Sequence, residues 1–336
     1  METPTNDHDL LDEVEVASHS GMSGARISRA ILCDGTPVVV KRSSSESDLF
    51  QRLLGHPISL DHILWQDGTL GRLPSGVRSA ILGTWLSRSG TTIVMADLGE
   101  SILGGEHSFS ADEAVALLER VEQLHRSGLR PSTSTPLKLL ISLFDHQGLR
   151  DGGATGLAAD VQRGWKVFRD IVPHKSAEAI IELKNRPHAL VDALMARPST
   201  FCHGDIAAVN MAWAANDLVL VDWGQAFVGP PALEIARFLP SGLVRSELDP
   251  DWFLAEYQDI SGDRFDAEAL SLSLLATLVW YGWRKALDAV ETANAELRAK
   301  EVASLAWWCD AADRGLRILA SAARSRRGVE GQGSRP

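Results

Sequence analysis

Cysteine is scarce in this chain: three in 336 residues, Cys33, Cys202 and Cys309, odd in number and widely scattered. Such a set supplies neither a disulfide framework nor a zinc cluster and points to a reducing, cytoplasmic setting. A basic excess is missing as well. Lys and Arg number 33 against 44 Asp and Glu, a net charge of −11, which excludes a non-specific nucleic-acid binder with its basic footprint. No apolar run reaches the ~20 residues a membrane span requires. The longest, Leu270 to Trp283, contains Ser271, Ser273 and Thr277 and predicts a buried helix, so no membrane partner is expected. Met1 to Leu11 is polar and acidic, without the basic and apolar parts of a secretory signal. No internal repeat is visible. The remainder is an ordinary globular mixture, 45% hydrophobic and 23% charged, which excludes wholesale disorder and leaves room for one large domain or two lobes.

What is present divides into a β-rich beginning and a helical remainder. Glu13–Ala17, Arg26–Cys33 and Thr36–Lys41 alternate or run apolar, with Asp34-Gly35 placed as a tight hairpin turn. Ser44 to Leu54 has helical spacing, and Ala80–Trp85 and Thr91–Met95 are further strand candidates. Ser110 followed by Glu113 is a capping-box pattern opening a helix to about His125. Ser127–Pro136 and Gly148–Gly156 are loop-like, and helices return after a short β insert at Thr200–Phe227. Ala323–Pro336, rich in Arg, Gly and Ser, is expected to be disordered.

The β insert carries the chemistry. Val209–Trp213 and Leu218–Val221 flank a polar Asn216-Asp217 turn and should pair as a hairpin. Its open end brings Asn210 and Asp222 face to face, with Asp205 just beyond them. Two oxygen-bearing side chains at one hairpin mouth suit Mg²⁺, a hard ion that also keeps water and phosphate in its shell. The third group, Asp205, is suited to orient a hydroxyl and accept its proton.

His203-Gly204-Asp205, Asn210 and Val221-Asp222-Trp223-Gly224 together resemble the aminoglycoside phosphotransferase family with its choline kinase-like relatives. This family is the small-molecule counterpart of the protein kinases. The resemblance extends over roughly Val14 to Trp308 and includes Gly229-Pro230-Pro231-Ala232-Leu233-Glu234-Ile235-Ala236, with Glu234 where the family usually has Asp. Ala207-Ala208 replaces a polar pair common in the family. It implies an α+β, bilobal protein-kinase-like fold, with a small β-rich N-lobe and a larger helical C-lobe. The expected division is a flexible tail at 1–12, an N-lobe at 13–98 with its hinge at 95–98, a C-lobe at 99–322, and a disordered tail at 323–336.

The same resemblance implies roles. Asp205 is the catalytic carboxylate, His203 braces its loop, and Asn210 and Asp222 hold Mg²⁺. Lys41, closing Val38-Val39-Val40-Lys41, grips the ATP phosphates, and Glu46 pairs with it, Asp48 being the alternative. Gly21, Ser23 and Gly24 belong to a loop covering the phosphates, and Met95, Ala96, Asp97 and Leu98 offer backbone groups to adenine. The expected activity is ATP-dependent phosphoryl transfer to a hydroxyl of a small molecule, an aminoglycoside or another hydroxylated antibiotic. A metabolite kinase for an amino alcohol, sugar or nucleoside remains open, as does a non-catalytic nucleotide-binding module. Carboxylates between Arg245 and Leu270 would either attract a cationic acceptor or form a solvated helix face. Trp280, Tyr281, Trp283, Trp307 and Trp308 would either stack on it or pack the core.

Overall fold

The computed structural model describes residues 3–16 and 23–332, with 323 and 325–332 as backbone only. The alternating runs become β1 (Leu10–Glu15), β2 (Arg26–Leu32) and β3 (Pro37–Ser43). Asp34-Gly35 closes the β2–β3 hairpin, and Gly35 N–H donates to Leu32 O at 2.8 Å. Strand β1 begins inside the expected tail because Leu10 and Leu11 pair with Leu32 and Ile31. Next come α1 (Leu49–Leu53), α2 (Leu60–Gln66), β4 (Val77–Ser79), β5 (Ile81–Ser87) and β6 (Gly90–Ala96). Five strands form one antiparallel sheet in the order β1-β2-β3-β6-β5. Alternation along β3 sends Val38 and Val40 to a small core on one face, with Ala30, Leu32 and Val94. Val39 and Lys41 therefore point to the other face, where the second lobe packs.

That lobe starts with α3 (Ala111–Arg126), whose capping box forms as expected between Ser110 and Glu113. Then follow α4 (Leu137–Ile141), α5 (His146–Asp151), α6 (Thr155–Ile171), α7 (His174–Asn185) and α8 (His188–Met195). The β insert contains β7 (Thr200–Cys202), β8 (Met211–Ala214), β9 (Asp217–Leu220) and β10 (Phe227–Gly229). The helices α9 (Pro231–Gly242), α10 (Pro250–Ser261), α11 (Ala267–Glu291) and α12 (Ala295–Gln332) complete the chain. The α11 helix is the central buried one, and its Trp280 and Trp283, with Trp308 of α12, lie among the largest fully buried side chains. These three tryptophans are core packing. At the other end, α12 continues ten residues past the expected boundary at 322. No proline interrupts it, so nothing in the Arg-rich stretch forces the helix to stop.

Two features place the site. The β8–β9 hairpin turns at Ala215 and Asn216, with φ of 50° and 69°, one residue earlier than the sequence pattern implies. In addition, β4 of the first lobe joins β9 in parallel, so the β insert is anchored to both lobes.

Candidate active site

The segment that carries Asp205 enters from β7, which pairs with β10. Gly204 follows with φ +90°, a conformation that a side chain disfavours, and a Cβ there would press on Gln225 O. This turn brings Asp205 back over the hairpin. His203 is buried; its Nδ1 receives Asp205 N–H at 3.3 Å and its Nε2 lies 3.0 Å from Val221 O. An Nδ1 that accepts leaves the ring proton on Nε2, so the imidazole ties the loop to the residue before Asp222. His203 is a brace.

At the hairpin mouth, Val221 N–H donates to Asn210 O at 3.1 Å, which ties Asn210 to the residue before Asp222. The Asn210 Nδ2 donates to Asp205 Oδ2 at 3.0 Å, so Asn210 also holds the carboxylate. Asp222 adopts left-handed backbone angles, φ 62° and ψ 70°, which turn its carboxylate out of the strand. There it meets Lys41, 181 residues away in sequence, at 2.8 Å.

Lys41 has more than one carboxylate neighbour. Asp61 Oδ2 lies 3.7 Å from its Nζ, while Asp61 Oδ1 accepts Trp223 N–H at 2.8 Å. Burial opposes the ammonium charge, but Asp222, Asp61 and Asp48 outweigh it and hold Lys41 above the ordinary lysine range. For Asp222, desolvation opposes the charge and the Lys41 ammonium wins, so its carboxyl is held below the usual range. Burial pushes the Asp48 carboxyl up, against Lys41, with Asp222 and Asp61 adding to the rise.

These contacts correct the expected partner of Lys41. Glu46 is exposed, in a Ser-rich turn whose backbone carbonyls, including its own, are held by Arg52. Asp48 is buried and lines the Lys41 cavity, but it also caps α1 by accepting Gln51 N–H at 3.0 Å. The direct partners are Asp222 and Asp61. Asp61 was invisible in the sequence because an acidic residue in the first turn of a helix is an ordinary helix start.

Of the loop expected over the phosphates, Gly21 lies outside the described residues. Ser23 lines the same cavity as Lys41, and its carbonyl accepts Leu49 N–H at 2.7 Å. Gly24 has φ +84°, and a Cβ there would sit 2.6 Å from Ser47 O. In the hinge, Met95 is buried on β6. Ala96 N–H donates to Ala80 O at 2.9 Å and Asp97 N–H to Pro37 O at 3.5 Å, which among the described residues leaves Leu98 N–H as the hinge donor not taken by the backbone. The Asp97 side chain pairs with Arg29 at 3.3 Å.

One group around Asp205 escaped the sequence reading altogether. Arg237, buried on α9, donates to Asp205 Oδ1 at 2.8 Å and stacks on Tyr281, 3.8 Å from the ring centroid. Gln225 Nε2 adds a bond to Asp205 Oδ2 at 3.2 Å. Glu234 accepts Gly204 N–H at 2.7 Å and lies 2.8 Å from His125 Nε2.

Asn210 and Asp222 could hold a divalent cation. Among the described residues the Asn210 Oδ1 accepts no hydrogen bond, and the buried Gln225 Oε1, in the residue that lines the Lys41–Asp222 cavity, has no partner. Oxygen donors of this kind suit Mg²⁺. His125, Cys202 and Glu234 also converge, but Glu234 is already doubly bonded, and burial together with Glu234 keeps the Cys202 thiol protonated.

Two lobes joined by one strand, with a lysine of the first on an aspartate of the second, define a bilobal protein-kinase-like fold. Residues 106–271 match the model of the phosphotransferase enzyme family. Among solved structures, a choline/ethanolamine kinase family protein from Mesorhizobium loti is 12% identical, with TM-score 0.50 and coverage of 91% of this chain and 92% of its own. A spectinomycin phosphotransferase solved with ADP and spectinomycin is 12% identical, with TM-score 0.52, covering 90% and 93%. An aminoglycoside phosphotransferase from Streptomyces rimosus is 17% identical, with TM-score 0.50, covering 80% and 93%. At these identities the likeness is one of fold. Among curated proteins none matches the chain by sequence.

Proposed function

We propose that this chain transfers the γ-phosphoryl group of ATP to a hydroxyl of a small molecule. The observation that carries the proposal is the Lys41–Asp222 contact of 2.8 Å, set beside the bonded pair Asp205 and Asn210. Lys41 would bind the phosphates, and Leu98 with Met95, Ala96 and Asp97 would face the adenine. Bound Mg²⁺, held by Asn210 and Asp222, would supply neutralising charge for the phosphate oxygens. Asp205 would hold the acceptor hydroxyl in line: the acceptor oxygen bonds to the γ-phosphorus, the bond to the β-phosphate oxygen breaks with its electron pair leaving on ADP, and the hydroxyl proton passes to Asp205. Because the transition state of such transfers is loose, most of the catalysis is positioning and charge stabilisation. Three free thiols and an ATP-dependent reaction suit the cytoplasm.

The acceptor we favour is a hydroxylated antibiotic, as for the aminoglycoside and spectinomycin phosphotransferases of the same fold. A cavity of about 610 Å³ between α9, the start of α10 and α12 is of drug-molecule size and carries Glu247, Asp249, Asp251 and Trp307, but neither Asp205 nor Lys41, Asn210 or Asp222 lines it, so it does not carry the choice of acceptor. A metabolite kinase is the second proposal, because many carboxylates of this region are committed elsewhere. Asp249 caps α10, Asp251 accepts the Trp307 indole N–H at 3.0 Å, Asp266 caps α11, and Glu268 pairs with Arg197. A panel of hydroxylated antibiotics, amino alcohols and sugars, assayed for Mg²⁺-dependent ADP release, tests both. Acceptor-dependent release with any member supports the phosphotransferase proposal, and Mg²⁺·ATP binding without turnover on any member contradicts it.

A further inference from the structure

The hydrogen bonds around Asp205 leave one place for the acceptor. A carboxylate offers about four acceptor positions, two on each oxygen. Both positions on Oδ2 are filled, by Asn210 Nδ2 at 3.0 Å and Gln225 Nε2 at 3.2 Å. Among the described residues Oδ1 accepts one bond, from Arg237 at 2.8 Å. The unfilled position is therefore on Oδ1, beside a guanidinium that cannot move away easily. Arg237 lies against the face of Tyr281, 3.8 Å from its centroid, and Ser241 Oγ sits 3.4 Å from its other terminal nitrogen. It is buried, so little water screens its charge.

We propose that Asp205 receives the acceptor hydroxyl on Oδ1, beside Arg237, and that Arg237 selects acceptors whose reacting hydroxyl has a neutral hydroxyl or ether neighbour instead of an ammonium. This proposal rests on the phosphotransferase reading above. The single negative charge of Asp205 is already matched by one guanidinium. A second cation at the same oxygen would meet repulsion of similar size to its attraction and would still lose hydration. A neutral neighbour escapes that cost. Cationic groups farther along the acceptor are unaffected, so the choice concerns the reacting end alone. Arg237 acts here as a positioning residue for Asp205 and as a charge filter.

The experiment uses acceptors matched except at one carbon: glycerol against 2-amino-1,3-propanediol, whose hydroxyls both flank the amine, and glucose against glucosamine and kanamycin A against kanamycin B, counted only where NMR of the product places the phosphate on a hydroxyl flanking that carbon. For wild type, kcat/KM is measured for each pair between pH 6 and 10. The expected result is at least ~10-fold preference for the neutral member at pH 6, shrinking as the amine of its counterpart loses its proton. Arg237→Lys, which keeps a charge, should retain the preference, and Arg237→Gln should reduce it to within about twofold while lowering kcat for both members. Equal use of both members, or a preference for the amine at pH 6, overturns the proposal while leaving the phosphotransferase reading intact. Absence of turnover with every acceptor overturns both. The wild-type pH series stands even where a variant fails to fold.

Discussion

Glu234 on α9 accepts the backbone N–H of Gly204 at 2.7 Å, which fastens the turn that carries Asp205 to a buried helix. The other carboxylate oxygen is 2.8 Å from His125 Nε2, and both side chains are fully buried. Glu234 thus stands where its longer side chain can join the Gly204–Asp205 turn to α3. Glu234→Ala takes the acceptor from the Gly204 N–H and the 2.8 Å partner from the buried His125 at once, leaving Glu122 at 3.8 Å beside the ring. The expected loss is about 3–5 kcal/mol, read from urea denaturation, accompanied by loss of activity.

The His125 pair also predicts a pH dependence. Burial disfavours the imidazolium, but the carboxylates of Glu122, 3.8 Å from Nδ1, and Glu234, 2.8 Å from Nε2, outweigh it and raise the His125 pKa above its ordinary value. A raised folded-state value means that the stabilisation is fully present below the unfolded pKa, about 6.5, and is lost as pH rises through the higher folded value. Measured from pH 5.5 to 9, the Tm difference between wild type and His125→Gln should be largest at the acid end and shrink with pH. A constant difference would count against the charged pair.

Asp61 is predicted to matter to nucleotide binding and Glu46 is not. Asp61→Asn keeps an acceptor for Trp223 N–H but removes the second negative charge at Lys41, so KM for ATP should rise about tenfold, ~1.4 kcal/mol, more than kcat falls. Glu46→Ala changes an exposed side chain and should stay within ~0.5 kcal/mol of wild type in both stability and KM. Steady-state kinetics in ATP separate the two variants, and the reverse ranking would restore Glu46 as the lysine's partner.

Gly204→Ala forces a Cβ onto Gln225 O and an alanine into positive φ. The cost should be ~2 kcal/mol or more, with Asp205 displaced. Gly35, also at positive φ but with open space around its Cβ position, should lose less stability on the same change. Thermal denaturation of the two variants compares a crowded turn with a free one.

Asp205→Ala should cut transfer by ~10²–10⁴-fold while leaving Mg²⁺·ATP affinity within about twofold. Single-turnover assays with saturating ATP check this. A variant that keeps transfer within tenfold of wild type would remove Asp205 from the proposed role.

Much of the fold was legible because hydrophobic alternation and capping signals are local. The β2–β3 hairpin, the α3 capping box and the buried α11 all follow from residues adjacent in sequence. The hairpin mouth was legible too, since Asn210 and Asp222 lie on two short runs joined by a turn. What stayed hidden needs contacts between distant segments. Asp61 is an ordinary helix-start acid until α2 packs beneath Trp223. Arg237, set among Ala236, Phe238 and Leu239, looks like a surface position of an amphipathic helix until Tyr281 and Asp205 meet it from either side. The register that made Glu46 attractive failed because α1 starts only at Leu49, which leaves Glu46 in the turn before it.

The central claim is that Lys41, Asn210 and Asp222 form a Mg²⁺-dependent nucleotide site, and calorimetric titration of ATP tests it most directly. With Mg²⁺ present, wild type should bind ATP in one-to-one stoichiometry, and either omission of Mg²⁺ or Asp222→Ala should weaken binding at least ~10-fold. Affinity that is the same with and without Mg²⁺, and unchanged in a folded Asp222→Ala protein, would contradict it.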